Sequence, residues 1–471
     1  MKKILLAIAC VLTLTTLTTG CINDDFTTSS NDKLSFSCDT LSFDTIITLQ
    51  GSATQQFVVY NKSSKQINIS SIKVAGLSDA RFYLNVDGTK AEEFHDIEIR
   101  GNDSIYIFVE GYLPETGKDE PVELFDRIDF ETNGVQQSVT LRACGQDVIR
   151  LKDYTVTQNT TLRAGKPYVV YDTLTVMPGA TLTIEPGVNL LFHDKAWMKV
   201  GGTLKAIGTQ DKPIVMRGDR LDHVVGQYSF DIMSGQWDGI AIYGGSTDNE
   251  MQYVDMHSST WGLQVGGVDQ SRVALHMFNC VLHNSAEYVL LTANAWVEAE
   301  GCEFSDARYG VVAFIGGKIR MTQCTFANYY LFSTIEGPNI SWVIQDEDKT
   351  FSPLDCIIDN SISYGMGYDV NIGDNEGNNI YMRNCLLKSD GEDDAHFINC
   401  VWGGDPKFYT VREDYIFDYR LRNESDAIAR GNRSYCPEKA RYDRYGNDRF
   451  AGNGIDLGAY VWVEAPEDDP Q

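Results

Sequence analysis

Two histidines and two carboxylates occupy related positions in a part of the chain that repeats. Asp255 and His257 lie two residues apart, and His283 and Glu303 fall at corresponding places in the following repeats. If the repeats stack, the two imidazoles lie side by side near an acid, an arrangement able to bind a divalent metal or transfer a proton. Solvated side chains beside a polar corner are the simpler interpretation. The four residues are therefore a candidate surface cluster, with no metal ligand and no catalytic residue assigned.

Two acidic loops carry the oxygen ligands that calcium prefers. They are residues 374–378 (DNEGN) and 390–394 (DGEDD). Neither fits the ligand pattern of an EF-hand loop, and solvated loops are the simpler interpretation. The sequence thus predicts no cofactor, and calcium binding at these loops is the open alternative.

Several aromatic side chains fall outside the apolar positions of the repeat: Trp261, Trp296, Tyr329 and Tyr330. An aromatic ring with one polar edge can stack on a sugar ring, although partly buried packing is the commoner role of such residues. A sugar-binding surface at these positions is therefore the less favoured alternative.

The position of each of these side chains depends on a cysteine that recurs every 22 residues in the centre of the chain. Cys280, Cys302 and Cys324 have this spacing, further copies of the position are Val254, Cys385 and Cys400, and a looser copy is Cys356. The second residue after each copy is apolar: Met256, Leu282, Phe304, Phe326, Leu387, Trp402 and Ile358. Because strand side chains alternate between faces, one face of every repeat strand is predicted to be buried.

Small polar residues that tolerate tight turns follow four residues after the same position: Ser258, Asn284, Asp306, Asn328, Asn360 and Ser389. A strand and a polar corner in each repeat form one coil of a stacked parallel solenoid. Helical and leucine-rich repeats are excluded, because the segment has neither a 3.6-residue periodicity nor a leucine-rich consensus. The sequence predicts an all-β protein whose main body is a right-handed parallel β-helix with coils of about 22 residues.

The flanking segments resemble a known class of protein. Residues 179–192 (GATLTIEPGVNLLF), 200–216 and 237–240 resemble the first coils of bacterial surface β-helices with a pectate-lyase-like fold. Segments between 405 and 460 resemble the closing region of such proteins, although Val461 and Trp462 stand where an acidic residue is commoner. These resemblances imply the fold and indicate almost nothing about activity.

A smaller all-β domain is predicted ahead of the β-helix. Short alternating runs such as 57–60 (FVVY) and 105–109 (IYIFV) are typical of a β-sandwich of immunoglobulin size. The order of its motifs resembles the Ig-like domain that precedes β-helices in surface lipoproteins, which implies a spacer or an adhesion module. Cys38 and Cys144 lie near the two ends of this domain, and the sequence does not decide whether they form a disulfide.

The N-terminus has the pattern of a lipoprotein leader. Lys2 and Lys3 precede an apolar stretch, and residues 18–21 (TTGC) resemble a lipobox in which Cys21 is lipidated, although Thr18 replaces the usual leucine. A plain secretory signal is the alternative. Residues 22–25 (INDD) resemble the export signal of Bacteroidota surface lipoproteins, which implies a lipid anchor facing outward from the outer membrane.

Together these patterns predict five segments in chain order. They are a signal peptide (1–20), a flexible tether (21–32), an Ig-like β-sandwich (33–147), a β-helix (148–404) and a C-terminal closing segment or cap (405–471).

Charge narrows the choice of partners. The chain has 39 basic and 66 acidic residues and a net charge of -27, which argues against binding to nucleic acid or an anionic membrane surface. Outer-membrane lipid, through Cys21, and a polysaccharide or surface protein remain as partners. The repeat cysteines lack the CxxC spacing of zinc sites and are predicted to form a buried ladder of thiols.

Two classes of function compete. The first is a non-catalytic surface protein that binds glycan or protein along the solenoid, and the second is a lyase or glycoside hydrolase acting on acidic polysaccharides. A hydrolase needs a pair of carboxylates, and a lyase needs a base with a cation or an arginine. The sequence shows no acid pair on a repeat strand and no basic groove, so it favours binding. The alternative that a catalytic site is assembled from distant coils is not excluded by the sequence.

Overall fold

The computed structural model describes residues 25–225, 228–267, 270–343, 352–371 and 378–465. Cys21, the rest of the predicted leader and residues 374–377 of the first acidic loop lie outside these ranges. The chain forms two compact units, Met1–Asp147 and Val148–Gln471. Within the described ranges, no helix is long and apolar enough to cross a membrane.

The described part of the first unit, residues 25–147, forms eleven strands. They are β1 (Leu34–Phe36), β2 (Thr40–Ile47), β3 (Gln55–Asn61), β4 (Ile67–Val74), β5 (Arg81–Val86), β6 (Thr89–Ala91), β7 (Glu93–Phe94), β8 (Ile97–Ile99), β9 (Ser104–Tyr112), β10 (Val122–Thr132) and β11 (Val135–Gln146). One sheet has the order β1-β3-β9-β5-β6, and the other has the order β2-β11-β10-β4-β7, with β8 also paired to β4.

Alternating apolar residues of both sheets form one core, which makes the unit a β-sandwich. The rings of Phe57 on β3 and Phe130 on β10 meet edge to face, with centroids 6.3 Å apart. Cys38 and Cys144 are both free thiols, so the disulfide left open by the sequence is not formed.

The second unit begins with a long series of strands. They are β12 (Ile149–Val156), β13 (Thr160–Leu162), β14 (Tyr168–Val176), β15 (Thr181–Ile184), β16 (Asn189–Phe192), β17 (Trp197–Val200), β18 (Thr203–Ile207), β19 (Ile214–Gly218), β20 (His223–Val225), β21 (Tyr228–Ser229), β22 (Gly239–Ile242), β23 (Asn249–Gln252), β24 (Val254–His257), β25 (Leu263–Gly266), β26 (Leu275–Phe278), β27 (Val281–Ser285) and β28 (Leu290–Ala293).

The series continues to Leu421. The remaining strands are β29 (Trp296–Glu300), β30 (Glu303–Ala307), β31 (Val312–Ile315), β32 (Gly317–Thr322), β33 (Thr325–Asn328), β34 (Ile340–Val343), β35 (Leu354–Asp359), β36 (Ile362–Gly365), β37 (Val370–Asn371), β38 (Asn379–Arg383), β39 (Leu386–Leu387), β40 (Phe397–Ile398), β41 (Val401–Trp402), β42 (Phe408–Thr410) and β43 (Asp418–Leu421). The described residues of this unit also form four 3-10 helices: Phe230–Ile232, Glu413–Tyr415, Arg433–Tyr435 and Glu438–Ala440.

Most of these strands pair in parallel and form three ladders, whereas β20 with β21 and β42 with β43 form antiparallel pairs. Ladder A consists of β13, β15, β18, β23, β26, β29, β32, β35, β38 and β40. Ladder B consists of β16, β19, β24, β27, β30, β33, β36, β39 and β41. Ladder C consists of β17, β22, β25, β28, β31, β34 and β37. One strand from each ladder forms a coil, so the predicted all-β fold with a parallel β-helix is confirmed.

The interior of the β-helix is apolar. Met277 on ladder A, Leu282 on ladder B and Leu290 on ladder C are all buried in one continuous core. On ladder B, the rings of Phe304 and Phe326 stack with centroids 5.6 Å apart and an angle of 10° between their planes. The predicted burial of the residue two positions after each repeat cysteine therefore holds for this part of the ladder.

The repeat cysteines lie at the corner where ladder A turns into ladder B. Cys280, Cys302 and Cys324 are buried free thiols at this corner, as the predicted thiol ladder requires. The residue before each of them has a positive φ, for example Asn279 at 50°. Asparagine adopts this left-handed conformation more readily than most residues, which suits it to the corner.

The assignment of Cys356 to the repeat is wrong. Cys356 lies within β35 and pairs in register with Ile319, so it belongs to ladder A. The corner position is instead Ser361, because the residue after it, Ile362, pairs with Thr325. Ser361 Oγ accepts a hydrogen bond of 3.0 Å from the Cys324 amide. The 22-residue spacing fails here because additional residues follow β33.

The C-terminal segment folds back along the β-helix as well as following its last coil. Gln323 Nε2 donates to the Asp456 carbonyl over 2.8 Å, and Arg444 Nη1 donates to the Asn279 carbonyl over 2.6 Å. Arg449 is buried and donates to backbone carbonyls of the segment itself, including Ala459 at 2.6 Å. The segment therefore covers part of ladder B.

Candidate functional site

A cavity of about 440 Å³ lies between ladder B and the C-terminal segment. Ladder B supplies the floor, with Asp255, His283, Glu303, Ser305 and Asp306 among the lining side chains. Much of the rim is aromatic: Tyr330, Phe332, Tyr415, Phe417, Tyr419, Tyr445 and Tyr460. A concave site of this volume, with convergent polar groups, has the usual character of a small-molecule site.

The floor is built by three neighbouring strands in register. Asp255 lies on β24, His283 on β27 and Glu303 on β30. Asp255 pairs with Val281, which pairs with Glu303, so the two acids are separated by one coil. His257 pairs directly with His283. Stacking therefore brings together residues that are far apart in sequence.

Asp255, His257 and His283 contact one another. Asp255 Oδ1 lies 2.8 Å from His257 Nδ1 and 3.4 Å from His283 Nε2. The two imidazoles stack with ring centroids 4.7 Å apart. His257 is only 8% exposed, so the interpretation of this cluster as solvated corner residues is wrong for this histidine.

A second carboxylate lies beside His257. His257 Nε2 is 3.6 Å from Asp231 Oδ1, and the Arg217 guanidinium donates to Asp231 Oδ2 over 2.6 Å. Burial acts to lower the pKa of His257, but hydrogen bonds to Asp231 and Asp255 raise it to about 9. Burial acts to raise the pKa of Asp255, but hydrogen bonds from both histidines hold it well below its usual range. The cluster is therefore a network of opposite charges.

Glu303 lies apart from these three residues and has different partners. Its carboxylate accepts hydrogen bonds from the Tyr460 hydroxyl and from Ser305 Oγ, the latter over 2.8 Å. Burial raises the pKa of Glu303 despite these two donors. The structure thus brings together three of the four residues nominated from the sequence and places Glu303 elsewhere in the same cavity.

Asp306 is a second carboxyl group on β30. It is 4% exposed, and it accepts hydrogen bonds of 2.8 Å from the Tyr419 hydroxyl and from the Tyr329 amide. Burial raises the pKa of Asp306 to about 7, although these donors and His283 act to lower it. Asp306 has a φ of 58°, which interrupts the alternation of the strand, so Asp306 and Glu303 both line the cavity.

This pair was missed by sequence reasoning, because strict alternation places residues three apart on opposite faces. Further cavity residues were also missed: Asp231, Arg444, Tyr415, Tyr419, Tyr445 and Tyr460. The contact of Tyr419 with Asp306 joins residues 113 apart in sequence. No spacing or motif in the chain signals such a contact.

The four aromatic residues that the sequence suggested for sugar stacking lie in different environments. Tyr330 lines the cavity, and its hydroxyl is 2.6 Å from Ser234 Oγ. Trp296 packs under the Lys318 ammonium at 3.5 Å, and Tyr329 is half-buried against Tyr419. Trp261 is exposed.

The second acidic loop has a structural role. Asp393 accepts hydrogen bonds from the amides of Asn399 and Cys400, and Asp394 accepts hydrogen bonds from the amides of His396 and Phe397. These carboxylates are used to fix the backbone of the last coil.

Fold and cavity together define an all-β protein with a parallel β-helix body and an acidic, aromatic-lined cavity on ladder B. Residues 154–272 match a family model described as "Pectate-lyase like beta helix domain". A 99-residue stretch, 21% of this chain, is 32% identical to Protein bark beetle of Drosophila melanogaster. The match covers 3% of that protein, so the chain spans only a small part of its length.

Similar solved structures cover about a quarter of the chain. One is a PapD-like domain of human CEP192, with 12% identity and a TM-score of 0.17, covering 25% of this chain and 85% of that chain. Another is the E. coli chaperone DraB, with 10% identity and a TM-score of 0.18, covering 26% of this chain and 57% of that chain.

The substitution Asp306→Asn should stabilise the protein at neutral pH compared with its effect near pH 3. The folded-state pKa of Asp306 lies above the value of about 3.9 in an unfolded chain, so its ionisation opposes folding increasingly as the pH rises toward 7. Asparagine does not ionise and tolerates the positive φ. Urea unfolding should show a pH-dependent gain on the order of 4 kcal/mol between about pH 3 and pH 7.5.

Asp172→Asn is the matched control, since Asp172 is an exposed aspartate with a φ of 62° in the same unit. Its substitution should change stability equally at both pH values. The same pH-dependent gain in both variants, or none for Asp306→Asn, contradicts the proposed cost of ionising Asp306.

Proposed function

We propose that the cavity on ladder B binds a saccharide that is neutral or carries amino groups. The observation that carries this proposal is the combination of an aromatic rim with a floor of carboxyl, hydroxyl and imidazole groups. A sugar ring has apolar C–H faces and a polar edge of hydroxyls, so it needs both kinds of surface at once. The parallel β-helix fits either binding or polysaccharide-acting roles.

The rim offers accessible aromatic surface. Tyr415 is 42% exposed and Tyr445 is 51% exposed, and Phe332 contacts Tyr330 edge to face with centroids 5.7 Å apart. Rings held in this way present large contact areas and lose little conformational entropy on binding. They are suited to pack against the apolar face of a sugar.

The charges of the cavity lining favour some classes of sugar over others. The lining contains five acidic side chains (Asp231, Asp255, Glu303, Asp306 and Asp418) and two basic ones (His283 and Arg444). Carboxylate oxygens accept hydrogen bonds from sugar hydroxyls or ammonium groups, while they repel the carboxylates of uronic acids. The cavity therefore favours neutral and amino sugars over acidic polysaccharides.

Isothermal titration of the purified full chain with oligosaccharides tests this proposal. The panel contains galactose, glucose and xylose oligomers, chitosan oligomers and oligogalacturonate. We expect a neutral or amino sugar to bind, and Tyr415→Ala to weaken that binding about tenfold, the usual effect of truncating a central aromatic contact.

Tyr368→Ala is the control variant, because Tyr368 is 79% exposed and does not line the cavity. It should bind the sugar as wild type does. Tighter binding of oligogalacturonate than of every other sugar, failure of the whole panel to bind, or equal losses in the two variants would overturn the proposal.

Hydrolysis of the bound saccharide is a second candidate, and the carboxyl pair on β30 favours it. Burial raises the pKa of both Glu303 and Asp306, the latter to about 7, so Asp306 can hold and release a proton at neutral pH. Two carboxyl groups flanking one glycosidic bond are the machinery that most glycoside hydrolases require.

New reducing ends, measured after incubation with each polysaccharide in the panel, distinguish catalysis from binding. If this pair is catalytic, Glu303→Gln and Asp306→Asn should each lower turnover by about a hundredfold or more, while the sugar still binds. A sugar that binds without any release of reducing ends rules out hydrolysis and leaves binding as the function.

We also propose, on the sequence pattern alone, that the chain is a lipoprotein on the outer face of the outer membrane, anchored through Cys21. The N-terminal β-sandwich then serves as an Ig-like spacer or adhesion module. The support is the resemblance of residues 18–21 to a lipobox and of residues 22–25 to an export signal.

Cys21→Ser should convert the protein from a form that partitions into detergent to one that stays in the aqueous phase. In intact cells, added protease should digest the wild-type protein. Cys10→Ser is the control and should leave both properties unchanged. Aqueous wild-type protein argues against the anchor, and protection from protease argues against the outward location.

A further inference from the structure

Asp255, His257 and His283 bring one oxygen and two nitrogen atoms within 4.8 Å of one another. From Asp255 Oδ1 the distances are 2.8 Å to His257 Nδ1 and 3.4 Å to His283 Nε2. In a tetrahedral zinc site with bonds of about 2.0–2.1 Å, neighbouring ligand atoms are roughly 3.3 Å apart. The distances from Asp255 Oδ1 to the two histidine nitrogens therefore bracket the ligand spacing of a tetrahedral zinc site.

We propose that Asp255, His257 and His283 form a binding site for a divalent metal of the zinc class. Two imidazoles with one carboxylate are a ligand set that zinc and neighbouring transition metals favour over calcium or magnesium. This site goes beyond the proposed saccharide binding, because the metal needs no sugar in order to bind.

The fold holds these ligands in place. All three lie on β24 and β27, two paired strands of ladder B, and His257 and His283 are partners in the register. Their rings stack with an interplanar angle of 29°. Ligands carried by adjacent strands of a stacked sheet are positioned more accurately than ligands on loops.

A carboxylate behind His257 completes the pattern of a metal site. A histidine that binds a metal through one ring nitrogen usually donates its other N–H to a carboxylate, which fixes the ring. Here Nδ1 of His257 faces Asp255, and Nε2 lies 3.6 Å from Asp231 Oδ1. Asp231 is itself held by Arg217.

The three proposed ligands lie at the edge of the cavity. Asp255 and His283 both line it, while His257 is buried behind them. A bound metal would therefore keep one position for water or for an oxygen atom of a cavity ligand. Open positions of this kind distinguish functional zinc sites from purely structural ones.

A second cluster, consisting of His276, Glu298 and Glu300, offers a contrast. It has similar ligand types, but Lys439 Nζ lies 2.6 Å from Glu300 Oε1 and 3.1 Å from His276 Nε2. The lysine ammonium already provides the positive charge that a metal would bring, whereas a metal bound to Asp255, His257 and His283 would displace only the proton that the His257 ring carries. This cluster is therefore the matched control for the first.

Titration of the purified full chain with Zn²⁺, after dialysis against EDTA and then buffer, tests the proposal in the absence of sugar. We expect one high-affinity Zn²⁺ per chain. Co²⁺ in its place should give the visible absorption of a tetrahedral site. His283→Gln and Asp255→Asn should each weaken Zn²⁺ binding at least tenfold, and His276→Gln should leave it unchanged.

Circular dichroism of each variant separates loss of a ligand from loss of the fold. His283 is the safer substitution because its side chain is 31% exposed. The proposal is overturned if the wild type binds no Zn²⁺, if folded His283→Gln binds as tightly as wild type, or if His276→Gln loses binding equally. Any of these outcomes identifies the cluster as a metal-free network of charges and leaves the sugar titration unaffected.

Discussion

The pairing of parallel strands between successive coils is the constraint on which the rest of the structure depends. It holds equivalent residues of neighbouring coils about 4.8 Å apart, whatever their separation in sequence. On ladder B the same pairing stacks Phe304 on Phe326 inside the β-helix and His257 on His283 outside it. One register therefore builds both the core and the floor of the cavity.

Departures from this regularity shape the site as much as the regularity does. Alternation along a strand sends successive side chains to opposite faces, and a residue with positive φ interrupts that order. At Asp306, with a φ of 58°, the interruption directs a second carboxyl into the cavity that Glu303 already lines. A strictly regular β30 would contribute only Glu303 to the acidic lining of the cavity.

The features that the sequence predicts correctly are those that the stacking of coils determines. The neighbouring positions of His257 and His283 follow from aligning the repeats at Val254 and Cys280, and the buried position of Phe304 follows from its place two residues after Cys302. Cys356 was misassigned because the residues inserted after β33 lengthen one coil, and spacing then no longer reports register. The aromatic rim of the cavity could not be predicted. Tyr419 and Tyr460 contact residues of ladder B that lie more than 100 residues earlier in the sequence, and no periodicity encodes such contacts.

The carboxyl group at position 306 is not required by the fold. In the two preceding coils the same corner position holds Ser258 and Asn284, which have φ values of 64° and 55° and no charge. A neutral residue therefore satisfies the backbone, and an acid costs stability at neutral pH because burial raises its pKa to about 7. The chain nevertheless places Tyr419 and the Tyr329 amide around Asp306, and it builds a cavity in front of it. Residues that break a local rule at a cost, within a site that distant segments converge to form, are where function is expected.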